Sequence, residues 1–108
     1  MPARPHILVV GTGSIGKRHV RCFLNIDRVD VSVCELNASL RREITGRYDL
    51  RSTYGSVEDA LREPLDAAVI CTPANLHASM ATQIVQKGMH VLIEKPLGID
   101  LDGGWTAW

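Results

Sequence analysis

Three glycines are spaced to hold a phosphate. In His6–Gly16, HILVVGTGSIG, the apolar run Ile7, Leu8, Val9 and Val10 leads straight into Gly11-Thr12-Gly13-Ser14-Ile15-Gly16. A run too short for a helix and apolar at each position suits a strand covered on both faces, as in a parallel sheet. Gly11 then permits a tight strand-to-helix turn, Gly13 lets a pyrophosphate approach the backbone, and Gly16 lets the new helix pack closely on the sheet. The N–H groups and positive dipole end of that helix, near Ser14 and Ile15, make an anion site, with Lys17 and Arg18 close enough to assist. Glu35 follows about 20 residues after the loop, where a dinucleotide-binding unit places the carboxylate that grips the adenosine ribose hydroxyls. The plainer alternatives are a glycine-rich turn without a ligand and an exposed acidic loop residue.

The elements that must position these residues can be read in order. From Ser14 a helix is predicted to about Asn25, with Gly16, Val20, Phe23 and Leu24 on one face and Lys17, Arg18 and Arg21 off it. Val31–Cys34 reads as the second strand, ending at Glu35. Asn37 can cap a helix over about Ala38–Thr45, with Leu40 and Ile44 inward and Gly46 as its stop. Asp49–Thr53 is a short edge strand. Ser56 caps a small helix that buries Val57, Ala60 and Leu61 and is broken by Pro64. Asp66–Cys71 is the fourth strand, and an amphipathic helix follows over about Asn75–Lys87, with Leu76, Met80, Ala81, Ile84 and Val85 on one face and Gly88 as its stop. His90–Ile93 is a fifth strand. The alternation predicts an α/β fold, a doubly wound parallel sheet of the Rossmann type, with about five strands in the order 3-2-1-4-5 and incomplete at the C-terminus.

Composition excludes several classes of function. With 108 residues the chain has room for one domain and a modest core. Its formal net charge is zero, with 45% hydrophobic and 22% charged residues, so charge offers no argument for nucleic acid or an anionic membrane. No stretch approaches the roughly 20 apolar residues of a transmembrane helix. The basic N-terminus followed by a short apolar run faintly imitates a signal peptide, but the run ends in the glycine loop without a cleavage site, so a cytoplasmic location is expected. Cys22, Cys34 and Cys71 are odd in number and lack CxxC spacing, which suits a reducing compartment and no metal site.

Three stretches together resemble the N-terminal domain of the Gfo/Idh/MocA oxidoreductases: GTGSIGKRHV at Gly11–Val20, CTPANLHASMA at Cys71–Ala81 and KGMHVLIEKPL at Lys87–Leu97. The resemblance implies NAD(P)-dependent hydride transfer on a sugar, cyclitol or related hydroxyl compound. It implies that Gly11, Thr12, Gly13, Ser14, Ile15 and Gly16 hold the pyrophosphate and Glu35 the ribose. Thr72, Pro73, Asn75 and His77 match the family's turn lining the cofactor cleft. Glu94 and Lys95 match its EKP motif, whose lysine reaches the nicotinamide and the reacting hydroxyl, where a positive charge stabilises developing alkoxide character. Lys95 is thus the catalytic candidate. For His77 the alternative is a polar-face helix residue, and for Lys95 an ordinary exposed lysine before a proline.

Family members continue into a second α/β domain that covers the cofactor and carries an Asp and a His beside the lysine. The expectation is therefore a NAD(P)-binding Rossmann domain over residues 1–108, truncated, with the substrate domain absent, inactive alone or dependent on a partner. A polyol or sugar would be its substrate only once it is completed, and the edge strand His90–Ile93 would favour self-association. Readings from other classes are a non-enzymatic NAD(H) sensor or docking module, an S-adenosylmethionine methyltransferase, and a degenerate fragment without function. NAD is expected over NADP. Glu35 would repel a 2′-phosphate, and neither Leu36 nor Asn37 supplies a cation, while Arg41 and Arg42 lie a helical turn or more beyond.

Overall fold

The computed structural model describes residues 4–72 and 74–94, the stretch 74–78 by its backbone. Five strands form one parallel sheet in the order β3-β2-β1-β4-β5. They are β1 (His6–Val10), β2 (Asp30–Cys34), β3 (Ser52–Tyr54), β4 (Ala67–Ile70) and β5 (His90–Ile93). The helices are α1 (Ser14–Ile26), α2 (Ala38–Arg47), α3 (Val57–Ala60) and α4 (Ala74–Gln86). The expected strand order and fold class are those observed.

The pleat of β1 explains why the sheet is covered twice. Successive side chains of a strand point to opposite faces. Leu8 and Val10 enter a core with Val57 and Ala60 of α3 and Met80, Ala81 and Ile84 of α4. Val9, between them, enters the opposite core with Val20 of α1, Ile44 of α2, and Val31 and Val33 of β2. All three β1 residues are fully buried. A continuous apolar run is thus what a central strand with helices on both sides requires.

Register carries the fold towards its site. Val10 lies opposite Cys34 on one side and Ile70 on the other, Cys34 opposite Tyr54, and Ile70 opposite Ile93. The residues just past the strands therefore fall in one row, and backbone bonds continue the ladder through it. Gly11 N–H donates to Cys34 O at 2.8 Å, Glu35 N–H to Tyr54 O at 2.9 Å, Cys71 N–H to Val10 O at 2.8 Å and Glu94 N–H to Ile70 O at 3.0 Å. At the other end of the sheet, His6 is buried. Its Nδ1 lies 3.1 Å from Pro64 O, which can only accept, so Nδ1 carries the hydrogen. Nε2 then accepts from Ser32 Oγ at 2.6 Å, and the His6 N–H donates to Asp66 at 2.7 Å.

Several boundaries differ from the sequence expectation. Gly46 does not stop α2, which runs on to Arg47 and ends where Tyr48 turns extended. The edge strand β3 is displaced towards Tyr54 and has only 3 residues. The small helix ends at Ala60, before Pro64 can break it. Val85 is 58% exposed, because the buried stripe of α4 is Met80, Ala81 and Ile84, and Val85 flanks it on the outside. The side chain of Leu76 lies outside the described residues. The caps at Asn37 and Ser56 form as expected, and Gly88 closes α4 with φ +81°.

Removing the His6 ring should cost about 3 kcal/mol, since it opens a buried cavity and leaves Ser32 and Pro64 without their partner. Urea unfolding of His6→Ala measures this. A midpoint equal to that of the unmodified chain would mean that the network is not formed.

Candidate functional site

The turn after β1 is built by close contacts. Gly11 has φ +91°, and a Cβ there would stand 3.0 Å from Thr72 Cγ2 and 3.1 Å from the Cys71 carbonyl carbon. At Gly16 a Cβ would stand 1.9 Å from Gly11 O, so only glycine lets α1 rest on the turn. Gly13 is different. It has ordinary extended backbone, and a Cβ would meet nothing within 4 Å. Two of the three glycines are therefore demanded by the protein's own packing, and the third is not. Gly13 is also the N-cap of α1, which has neither a side-chain cap nor an acidic residue in its first turn. Ser14 and Ile15 are exposed beside it. The result is an accessible helix N-terminus suited to an anion.

Glu35 takes a position that its spacing did not foretell. Its carboxylate is turned inward, and the residue is only 9% exposed. Oε1 accepts from the Thr12 N–H at 2.7 Å and from the Thr12 hydroxyl at 2.8 Å, and Oε2 accepts from the Asn37 N–H at 3.0 Å. Thr12 is fully buried, so its polar groups are directed at Glu35. Burial opposes the charge on Glu35, but the N–H groups of Asn37 and Thr12, the Thr12 hydroxyl and the nearby Arg41 outweigh it and hold the carboxyl below its ordinary value. Arg41 folds back from α2, its Nη1 donating to Glu35 O at 2.7 Å. It lies over Gly55, where a Cβ would stand 2.9 Å from Nη1. Sequence distance left Arg41 a helical turn away; the structure brings it to the end of β2.

The other half of the row holds Cys71, Thr72 and Glu94. Cys71 has a thiol pKa pushed up to about 12 by burial and then by the charge of Glu94, which keeps it protonated at neutral pH. Cys34 is likewise raised to about 12, by burial first and then by Glu35. All three cysteines are free thiols. Thr72 Oγ1 donates to Met80 Sδ at 3.5 Å. Glu94 Oε1 lies 2.9 Å from His19 Nε2. Beyond the end of β2, a cavity of about 140 Å³ opens between Leu36, Val57 and Met80, rimmed by Ser56, Glu58, Ser79 and Gln83. Sequence reasoning passed over His19 and this cavity, since neither stands in a local pattern that marks it, and it placed Arg41 farther from Glu35 than the fold does.

The sheet thus brings Gly11, Thr12, Gly13, Ser14, Ile15, Gly16, Glu35, Thr72 and Glu94 to one end of the domain. Asn75 and His77 lie in the backbone of α4, but their side chains fall outside the described residues, as do Pro73 and the catalytic candidate Lys95.

The lowered pKa of Glu35 has a definite sign. The group contributes stability above the ordinary carboxyl value of 4.5, and that contribution is lost as pH falls through the lower folded value. Glu35→Gln should lose about 2 kcal/mol at pH 7 and flatten this part of the acid dependence. Denaturant midpoints over a pH series check both, and parallel curves for the two proteins would contradict it.

Comparison with known proteins agrees with this geometry. The model of the oxidoreductase family with an NAD-binding Rossmann fold, Gfo/Idh/MocA, matches residues 6–105. A 4-carboxy-2-hydroxymuconate-6-semialdehyde dehydrogenase of Sphingobium sp. is 33% identical over 93 residues, covering 84% of this chain and 30% of its own length. A UDP-N-acetylglucosamine 3-dehydrogenase of Acidithiobacillus ferrooxidans is 34% identical over 94 residues, covering 87% and 29%. Among solved structures, the WlbA dehydrogenase of Bordetella pertussis, in complex with NADH and UDP-GlcNAcA, superposes with a TM-score of 0.81 at 28% identity, covering 94% of this chain and 32% of that one. The chain spans about a third of the length of these relatives. With the strand order, the glycine turn and the acidic end of β2 all in place, the chain belongs to the Gfo/Idh/MocA oxidoreductases, across their NAD-binding Rossmann domain.

Proposed function

We propose that this domain binds NAD across the ends of β1 and β4 and serves an oxidoreductase that acts on a hydroxyl of a sugar, cyclitol or related compound. Gly13 carries the reading. It is the one glycine of the turn that the protein's own packing does not require, and it stands at an uncapped helix N-terminus. A pyrophosphate needs that open approach to the backbone. Gly11, Ser14, Ile15 and Gly16 complete its cradle, and Thr12 holds the loop down on Glu35.

The adenosine half lies towards β2. Oε2 of Glu35 accepts one hydrogen bond, from Asn37, and retains lone-pair capacity for a ribose hydroxyl. The cavity beside Leu36, apolar at Leu36, Val57 and Met80 with a polar rim that includes Glu58, is where adenine would lie. The nicotinamide half then lies over β4 and β5, where Thr72, Pro73, Asn75, His77 and Glu94 would line the cleft. When bound, the nicotinamide supplies the acceptor for a hydride. Lys95 stabilises the alkoxide character of the reacting hydroxyl and positions it. Turnover calls for a general base from the part of the relatives that this chain does not match.

Titration of the purified chain with NADH and NADPH, read by nicotinamide fluorescence, tests the proposal. NADH should bind the more tightly, with the carboxylate of Glu35 disfavouring a 2′-phosphate and the guanidinium of Arg41 limiting the margin. Tighter binding of NADPH would overturn the ribose assignment. Gly13→Val should weaken NADH binding more than about tenfold, or ~1.4 kcal/mol, with the circular dichroism spectrum unchanged. Unaltered affinity would make the loop a turn without a ligand.

A further inference from the structure

We propose that His19 is a positioning residue for the nicotinamide end of the cleft, acting through Glu94. This rests on the reading that the cleft binds a nicotinamide dinucleotide, and it concerns a residue to which that reading gives no part. His19 stands on α1, one turn beyond Ser14 and Ile15, and Glu94 is the first residue past β5. They are 75 positions apart in the chain, yet Nε2 and Oε1 are separated by 2.9 Å. A carboxylate only accepts, so Nε2 carries the hydrogen and donates it.

The contact spans the crevice that the sheet order creates. Through Val20, α1 packs on the sheet face formed by Val9, Val31 and Val33, beside Cys71 at the end of β4. From there His19 reaches past β4 to the outer strand β5. Its ring is held at the base by Phe23, with the two ring centroids 6.3 Å apart and their planes inclined at 27°. The side chains of His19 and Glu94 are only 21% and 31% exposed, so the contact is partly shielded from water. Glu94 is further fixed by its own N–H, which donates to Ile70 O at 3.0 Å. With backbone and Oε1 both held, the residue has little freedom left. Lys95 follows it directly in the chain.

The consequence is a division of labour along α1. Its first turn serves the pyrophosphate, and its second turn sets the strand end that carries the nicotinamide-side motif. Losing His19 should therefore leave the adenosine and pyrophosphate contacts intact and loosen only the far half of the ligand.

The test compares NADH with ADP-ribose, which lacks the nicotinamide, on the full chain. His19→Phe keeps an aromatic ring against Phe23 but removes the donor. We expect NADH affinity to fall about tenfold in this variant while ADP-ribose stays within about twofold. His19→Gln, whose amide nitrogen can take the place of Nε2, should restore most of the loss. Glu94→Ala removes the acceptor from the other side and serves if His19→Phe does not fold, and the double variant His19→Phe/Glu94→Ala should bind no more weakly than Glu94→Ala alone. Equal losses for both ligands, additive losses in the double variant, or an unchanged ratio would overturn the role of His19. If the unmodified chain bound neither NADH nor ADP-ribose, the dinucleotide reading itself would fall, and this inference with it.

Discussion

The carboxylate of Glu35 is the interaction on which the site depends. A charge this far from water is tolerated only when hydrogen bonds offset its desolvation. Here that demand is met by groups from two separate segments: the backbone and hydroxyl of Thr12 in the glycine turn, and the backbone of Asn37 at the start of α2. Satisfying one acid thus sets where the turn after β1 stands relative to the helix after β2. In the proposed function the same residue also takes the adenosine ribose. Oε1 is given to Thr12, while Oε2 accepts a single bond, from Asn37.

Gly16 transmits this position to α1. Because the helix sits in van der Waals contact with the Gly11 carbonyl, it cannot shift without moving the turn that Glu35 holds. Further contacts then fix the orientation of α1. Lys17 pairs with Glu43 of α2 at 2.8 Å, and His19 reaches Glu94 beyond β5. The helix is tied to the β2 side and to the β5 side of the crevice at once. The open N-terminus of α1 is accordingly held in place, and the pyrophosphate proposed to bind there would meet a lower ordering cost.

The strand order, the alternation of strands and helices, the caps at Asn37 and Ser56 and the turn at Gly88 were legible in the amino-acid sequence alone, and so were Gly11 and Gly16 as positions that only glycine suits. Each rests on local physics: an apolar run that suits double burial, a side-chain oxygen within reach of the next turn's N–H groups, a residue that tolerates positive φ. Where two local signals competed, the weaker one misled. Gly46 looked like a helix stop, but it adopts no positive φ, and Arg47 extends α2 one residue past it.

What the tertiary structure decided is which distant residues meet. Parallel register placed Gly11, Glu35, Cys71 and Glu94 in one row, although 83 positions separate the first from the last. It turned Glu35 towards Thr12, folded Arg41 back over Gly55, and put His19 against Glu94. No spacing in the chain encodes these contacts, because they follow from sheet order and from the side on which each crossover helix packs. The chemistry of each side chain belongs to the sequence. Its partner is chosen by the fold, since a buried charge or a shielded imidazole must bond to whatever group the neighbouring strand end presents.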